Sequence, residues 1–167
     1  MKIDINNYEY NEIIKDILNC REFKKIEAYP HHKINRLEHS KRVSYFSYKV
    51  CKSLNLDYVS AARAGLLHDF FLNKYNNKNT RKLLVEHPLI AGKNACKHFN
   101  ISTKEKNIIE SHMFPINIKI LPKYKESLVV SLVDKVAWLY EKVTGYSKEL
   151  NYTLGKTAIF IFLCLTN

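Results

Sequence analysis

Apolar residues at helical spacing are the feature that most constrains the fold of this chain. Between residues 35 and 54 a stripe steps by four, three, four and four residues, which places its members on one face of a helix. The stripe comprises His39, Val43, Phe46, Val50 and Leu54. Only four glycines and four prolines occur in 167 residues, too few for the many turns of an all-β fold. The sequence therefore predicts an all-α fold, a single compact domain of six to seven helices over residues 1–167.

Helix start and stop signals divide the chain into these segments. Asp57 is a predicted N-cap, and Ser102 with Glu105 forms a capping box. Pro88 is expected at the first position of a helix, which leaves His87 extended at its N-cap. The predicted helices span 7–20, 35–54, about 58–72, 88–99, a segment from Ser102 that Pro115 stops, about 125–142 and about 147–165. The predicted core residues of the 88–99 helix are Leu89, Ala91, Ala95 and Phe99.

The net charge is the clearest compositional signal. Lys and Arg outnumber Asp and Glu by 27 to 16, a formal charge of +11, which favours anionic partners such as nucleotides, nucleic acid or a membrane surface. A base-composition bias in the coding DNA explains the same excess without any binding role. The scattered basic residues do not separate the two explanations.

Cysteine spacing and apolar runs bear on location and assembly. Cys20, Cys51, Cys96 and Cys164 are widely spaced, so we expect reduced thiols and a cytoplasmic protein. The first residues lack the apolar run of a signal peptide. The longest apolar run, residues 158–165, is too short to span a bilayer. It is expected to be a buried terminal helix or a contact between two subunits of a homodimer.

Polar residues recur on helix faces that are otherwise apolar. Ala61 and Gly65 share a face with His68, and such small residues allow a second helix to approach closely. Adjacent residues on a helix point in different directions, so His68 and Asp69 are expected to straddle a site. The other polar residues of this kind are His39, His87, His112 and Asp134. A lone buried imidazole is usually a core residue with a hydrogen bond, and that interpretation stays open for each of them.

Six such residues together are hard to satisfy by hydrogen bonds alone. If they converge at the centre of a helix bundle, they can bind divalent metal ions from facing helices. A mixed set of imidazole and carboxylate ligands suits iron, manganese, cobalt or zinc better than calcium. An Asp such as Asp134 within an apolar run also needs a cation or a hydrogen-bond network, because an unpaired buried charge is costly.

The order and local text of these residues resemble a known family. The motifs are Arg36-Leu-Glu-His39-Ser40, Ala64-Gly-Leu-Leu-His68-Asp69, His87-Pro-Leu-Ile-Ala-Gly, Glu110-Ser-His112-Met and Leu132-Val-Asp134-Lys. This set resembles the HD-domain superfamily of metal-dependent phosphohydrolases over about residues 36–141. The 7–20 and 147–165 helices are additions to that region. The chain is most similar to small stand-alone bacterial HD hydrolases, and its two extra histidines resemble the two-metal subgroup.

The resemblance implies an HD-domain fold, a ligand set and a reaction. His39, His68, Asp69 and Asp134 would hold one ion. A second ion would bind His87 and His112, and Asp69 would bridge the two. A metal-bridging hydroxide would then hydrolyse a phosphate ester or anhydride of nucleotide type, with Asp69 and His68 as the catalytic residues. One or two divalent ions are expected, with Fe or Mn favoured and Zn, Co, Ni or Mg as alternatives.

Departures from the family pattern leave the substrate open. Cyclic-dinucleotide phosphodiesterases of the HD type carry a Gly-Lys pair after the His-Asp pair and a GYP triplet later in the chain. Here Phe-Phe-Leu-Asn follows Asp69, and the sequence contains no GYP triplet. HD-type 5′-nucleotidases place an acidic residue soon after the His-Asp pair, whereas Asn73 and Lys74 stand here. Phosphate contacts are predicted for Arg36, Lys74 and Lys135, each with a solvated surface role as the alternative. Two other functions stay open: a nuclease or nucleic-acid-binding module, and a non-catalytic, metal-stabilised regulatory domain. Roles for His31, His32 and His98 are not assigned.

Overall fold

A computed structural model of the protein describes residues 1–31, 34–72 and 80–144. Within these ranges seven α-helices form a single helical bundle. The helices are α1 (Tyr8–Asn19), α2 (Arg21–Lys24), α3 (Arg36–Ser53), α4 (Tyr58–Leu67), α5 (Thr80–His98), α6 (Thr103–Ser111) and α7 (Lys125–Thr144). The predicted all-α class is confirmed. Lys74, the 158–165 run with Cys164, and the predicted 147–165 helix lie outside the described residues, and the single-domain boundary of 1–167 stays a prediction.

The link between α2 and α3 contains the other regular structure. A 3₁₀ turn, Lys25–Ala28, leads into β1 (Pro30–His31), which pairs antiparallel with β2 (Ile34–Asn35). Pro30 stands opposite Asn35, and His31 stands opposite Ile34. This ladder ends at Asn35, which is also the N-cap of α3.

Helix caps follow the sequence signals. Asp57 accepts a hydrogen bond from the Ser60 amide at 3.0 Å, and the Ser102–Glu105 capping box is complete in both directions. Asn35 caps α3 by accepting from the Glu38 amide at 2.8 Å. These bonds satisfy amides that have no partner within the helix.

The contact between α3 and α4 forms the centre of the bundle. Gly65 lies so close to α3 that a Cβ atom there would be 3.1 Å from the Ser44 Cα. The Ser44 hydroxyl donates to the Ala62 carbonyl at 2.7 Å and accepts from the Tyr10 hydroxyl at 2.9 Å. The small residues of α4 therefore allow the close approach that the sequence predicted. Helix α3 also packs against α7, and α4 packs against α6.

Two predicted helices have different bounds in the structure. Helix α4 ends at Leu67 rather than near Leu72, because the Phe70 amide turns back to the Leu67 carbonyl and His68 becomes the C-cap. Helix α5 begins at Thr80 and continues through Pro88. His87 is thus helical, and the predicted extended N-cap is wrong. Proline removes one helix hydrogen bond, which costs free energy. The burial of His87 and Pro88 against the bundle stabilises the helix by more than this cost.

Two predicted core residues are exposed. Leu54 is 45% exposed because it follows the end of α3, and Leu89 is 48% exposed on the outer face of α5. Ala91 and Ala95 are fully buried, as predicted, and Phe99 packs against the core from its edge. No helix within the described ranges is both long and apolar enough to cross a membrane.

Candidate metal centre

Six predicted site residues come together from five helices or their ends. His39 lies one turn into α3, His68 is the C-cap of α4 and Asp69 follows it. His87 lies within α5, and His112 is the C-cap of α6. Asp134 lies midway along α7. The four imidazoles and Asp69 are buried, and Asp134 keeps 13% of its side chain exposed.

The first group of candidate ligands, called here the His39 group, consists of His39, His68 and Asp134. The Nε2 atom of His39 lies 3.0 Å from Asp134 Oδ1, and the Nε2 atom of His68 lies 3.6 Å from the same oxygen. One ligand atom from each residue lies within 4.8 Å of the others. This spacing allows the three side chains to hold one ion.

The second group, called here the His112 group, consists of His68, Asp69 and His112, and His87 adjoins it. Asp69 Oδ1 lies 3.4 Å from His87 Nε2 and 3.8 Å from His112 Nε2. The other carboxylate oxygen, Oδ2, lies 3.8 Å from His68 Nε2. The two oxygens of Asp69 thus face different imidazoles, Oδ2 the shared His68 and Oδ1 the pair His87 and His112.

Each of the four imidazoles is held through its Nδ1 atom. The Nδ1 of His68 donates to the Gly65 carbonyl at 2.8 Å. In the same way His87 donates to Leu83 at 2.9 Å, and His112 donates to Ile109 at 2.7 Å. The Nδ1 of His39 instead contacts the Glu141 carboxylate at 2.9 Å. The four Nε2 atoms are therefore turned toward the space between the carboxylates.

Burial and neighbouring charges shift the pKa values of these histidines in opposite directions. Burial, with His68 and His87 nearby, lowers the pKa of His112 to about 3. Burial also lowers the pKa of His87. Burial acts in the same direction on His39, but its hydrogen bonds to Asp134 and Glu141 outweigh it and raise the pKa of His39 to about 10.

Asp134 is ionised for a related reason. Burial would raise the pKa of this carboxyl, but the hydrogen bond from His39 and the proximity of His68 hold it well below its usual range. An ionised Asp134 with neutral His87 and His112 has the protonation that metal ligands need.

Two features test whether these residues fit a metal ion. His87 and His112 face each other through Nε2 atoms 2.9 Å apart, although both donate their Nδ1 hydrogens elsewhere. In the neutral form their lone pairs oppose each other, which favours a cation between them. Ligands bonded at about 2.0–2.1 Å and set at right angles lie about 3 Å apart. In addition, the buried His68 Nε2 makes no hydrogen bond to any described residue, which is costly unless a ligand occupies that position.

A family comparison agrees with this geometry. A family model described as HD domain matches residues 36–139. The chain belongs to the HD domain family. HD domains are generally metal-dependent phosphohydrolases and bind divalent metals through histidine and aspartate side chains. No curated protein sequence matches the chain significantly.

Two of the three residues of this HD domain that are predicted to contact phosphate, Arg36 and Lys135, lie within the described ranges. Arg36 is fully buried, its guanidinium lies 3.6 Å from the centre of the Phe71 ring, and it donates to the Phe71 carbonyl. The Nζ atom of Lys135 donates to the His112 carbonyl at 2.7 Å and lies 3.6 Å from Asp134 Oδ2. Both residues therefore have structural contacts beside the centre, and their contact with substrate stays a prediction.

The remaining histidines are not part of the described centre. His98 ends α5 on the exposed surface, with its ring 5.7 Å from that of Phe70. The side chains of His31 and His32 lie outside the described part of the chain.

Sequence reasoning missed two residues of the HD domain centre. Glu141 contacts His39, and the ring of Phe71 lies between Arg36 and His87, 5.1 Å from the His87 ring. The spacing of Asp134 and Glu141 at i and i+7 is a signal for the first, because it places both carboxylates on one face of α7. No pattern in the sequence singles out Phe71.

Proposed function

We propose that this HD domain hydrolyses a phosphate ester or anhydride of nucleotide type with one or two bound divalent ions, iron or manganese in preference. The convergence of four imidazole Nε2 atoms on two carboxylates is the observation that carries the proposal. A purely structural core has no need to turn these atoms toward one another.

The distances between the side chains support the predicted ligand assignment. His39, His68 and Asp134 would hold the first ion, and His87 with His112 would hold the second. Asp69 would bridge them, since one of its oxygens faces His68 and the other faces His87. When bound, such ions supply a nucleophilic water at neutral pH and positive charge for the phosphoryl oxygens.

The protein's own residues have a positioning task in this reaction. The four Nδ1 hydrogen bonds fix the orientation of the imidazoles, so no ring rotation is needed when ions and substrate arrive. His39, whose pKa is raised, would release its Nε2 hydrogen in order to bind an ion. The ammonium of Lys135 adds positive charge next to Asp134. Asp134 and Lys135 retain 13% and 28% side-chain exposure, so we propose that substrate approaches across this part of α7.

The test compares wild type with Asp69→Ala, purified without a chelating tag and supplied with Mn²⁺ or Fe²⁺. Phosphate release is measured on a panel of nucleotides, an activated phosphodiester and a labelled oligonucleotide. We expect turnover in the wild type and only background in Asp69→Ala, because that change removes the bridging carboxylate. Asp16→Ala is the matched control, since Asp16 is an exposed carboxylate paired with Arg63.

The outcomes separate the alternatives. Hydrolysis retained by metal-free Asp69→Ala would refute the proposal. Turnover confined to the oligonucleotide would favour a nuclease, an alternative supported by the +11 charge and by a surface groove of about 530 Å³ whose lining includes Lys106, Lys119 and Lys123. Bound metal without turnover on any substrate would favour a regulatory domain.

A further inference from the structure

The four histidines of the centre differ in what holds their Nδ1 atoms. His68, His87 and His112 each donate to a backbone carbonyl three or four residues earlier in the chain. His39 contacts a side chain, Glu141, which is 102 residues away in sequence. On its Nδ1 side His39 is therefore held by a carboxylate from another helix, which a substitution can replace.

The contact between His39 and Glu141 is buried and close. The Nδ1 atom lies 2.9 Å from Oε2 and 3.1 Å from Oε1, and the two side chains are 0% and 2% exposed. Arg42, one turn after His39 on α3, forms an ion pair with the same carboxylate through Oε1. This pair stabilises the charge of Glu141, which would otherwise be costly to bury.

We propose that Glu141 is a positioning residue of the metal centre, which keeps His39 protonated at Nδ1 and turns its Nε2 atom to the ion. Arg42 holds Glu141 in the orientation that this requires. The inference rests on the proposed metal centre and adds a residue that the ligand set does not contain.

The physical reason is the choice between two tautomers. An imidazole binds a metal only through a nitrogen that carries no hydrogen. A carboxylate that accepts the Nδ1 hydrogen leaves the lone pair on Nε2, fixes the plane of the ring and increases its basicity as a ligand. Without Glu141 the ring can rotate or place its hydrogen on Nε2, and in either case the ion loses a ligand.

Two substitutions at this position separate charge from shape. Glu141→Gln keeps the size of the side chain but removes its charge. The ion pair with the Arg42 guanidinium is therefore lost. Glu141→Ala removes both the charge and the shape. Loss of such a carboxylate partner weakens metal binding by about 10–100-fold. We expect the loss of metal affinity to be at the lower end of this range for Glu141→Gln and at the upper end for Glu141→Ala. Only one of the two ions should be affected.

The control is a second buried glutamate outside the centre. Glu105 is 6% exposed and pairs with Arg63, as Glu141 is buried and pairs with Arg42. Glu105→Gln therefore removes a buried charge of the same kind without touching a candidate ligand. It should leave the affinity for metal unchanged.

The experiment uses the full chain and metal alone as the probe. Co²⁺ affinity is measured by visible absorption against a competing chelator for wild type, Glu141→Gln, Glu141→Ala and Glu105→Gln. In parallel, ¹⁵N spectra of labelled histidine side chains in Zn²⁺-loaded protein report which ring nitrogen carries the hydrogen. The wild type should show a hydrogen on Nδ1 of His39, and the Glu141 variants should lose that signature while His68, His87 and His112 retain it.

The results distinguish the two proposals from each other. Wild-type affinity and an unchanged His39 signal in both Glu141 variants would overturn the role of Glu141 and leave the metal centre standing. A wild type that binds no Co²⁺ would overturn both. An equal loss of affinity in Glu105→Gln would also count against a specific role. If Glu141→Ala does not fold, the Co²⁺ affinities of Glu141→Gln and Arg42→Met test the role of Glu141 instead. Arg42→Met should also weaken Co²⁺ binding.

Discussion

The His39 group and the His112 group use the same chemical parts but are supported in different ways. His112 is oriented by the carbonyl of Ile109 in its own helix, whereas His39 is oriented by Glu141 of α7. Their charge preferences are also opposite, since the pKa of His112 is lowered to about 3 and that of His39 is raised to about 10. One side of the centre thus depends on helix ends, and the other depends on how α3 packs against α7.

This difference identifies where each group is vulnerable. A backbone carbonyl cannot be removed by a substitution, so in the His112 group a ligand can be changed but not the carbonyl that orients the His112 ring. In the His39 group the surrounding carboxylates can be changed as well. Variants that change one group at a time therefore test this difference most directly.

Metal content should give the largest effect. Inductively coupled plasma analysis of wild type, His39→Ala and His112→Ala, purified without a chelating tag, should show two ions per chain falling toward one in each variant. The ion that remains should differ between them, because each change removes a ligand from a different group.

The same measurement can contradict the two-group description. Loss of both ions in His112→Ala would mean that the groups bind metal as one unit. No metal in any of the three proteins would return His39, His68 and Asp134 to the role of structural core residues.

Substitution of Lys135 should give the next largest effect, a loss of stability, because this side chain links the His112 group to α7. Its Nζ atom donates to the His112 carbonyl at 2.7 Å and to the Ser131 carbonyl at 3.0 Å. Lys135→Met leaves these buried carbonyls without that donor, and we expect the free energy of unfolding to fall by about 1–2 kcal/mol. Urea unfolding measures it, with exposed Lys49→Met as the control. Equal stability of the two variants would show that Lys135 does not link the His112 group to α7 energetically.

Two glycine substitutions should give the smallest effects, and only one of them should lower the free energy of unfolding. A Cβ at Gly65, between α3 and α4, would meet the Ser44 backbone at 3.1 Å, whereas a Cβ at Gly92, between α5 and α6, would meet the Glu110 side chain at 2.8 Å. A backbone cannot move aside, but a partly exposed side chain can. Alanine gains about 1 kcal/mol of helix propensity at each site, and overpacking costs about 1–3 kcal/mol.

We therefore expect Gly65→Ala to lower the free energy of unfolding by about 1 kcal/mol, and Gly92→Ala to leave it equal or raise it by up to about 1 kcal/mol. Thermal and urea unfolding of both variants check the sign. A stabilised Gly65→Ala would mean that the contact of α3 with α4 beside the His39 group is looser than the structure shows.

Local signals accounted for much of the fold. Asp57, Ser102 and Glu105 cap helices as predicted, because a cap requires only residues within one turn. The end of α4 and the path of α5 through Pro88 were not predicted. Both depend on burial against other helices, which overrides the local preference of a proline or of a run of helix formers.

For the candidate site, the sequence identified the residue types and their order but not their supports. His39, His68 and Asp134 stood out because each is polar on an apolar face. Arg36 is a predicted phosphate contact, and the structure adds that its guanidinium is buried against Phe71, which the sequence does not indicate. Burial of a long charged side chain depends on the rings and carbonyls that surround it, and these come from distant parts of the chain.

The sequence by itself determined the helical class, the helix caps and the family to which the chain belongs. All three depend on short residue spacings and on the order of motifs, which can be identified without the structure. The tertiary structure alone decided that four Nε2 atoms converge on Asp69 and Asp134, and that Glu141 lies behind His39. Glu141 and His39 are 102 residues apart. Contact between such distant residues is set by the packing of α3 on α7, and no local pattern specifies that packing.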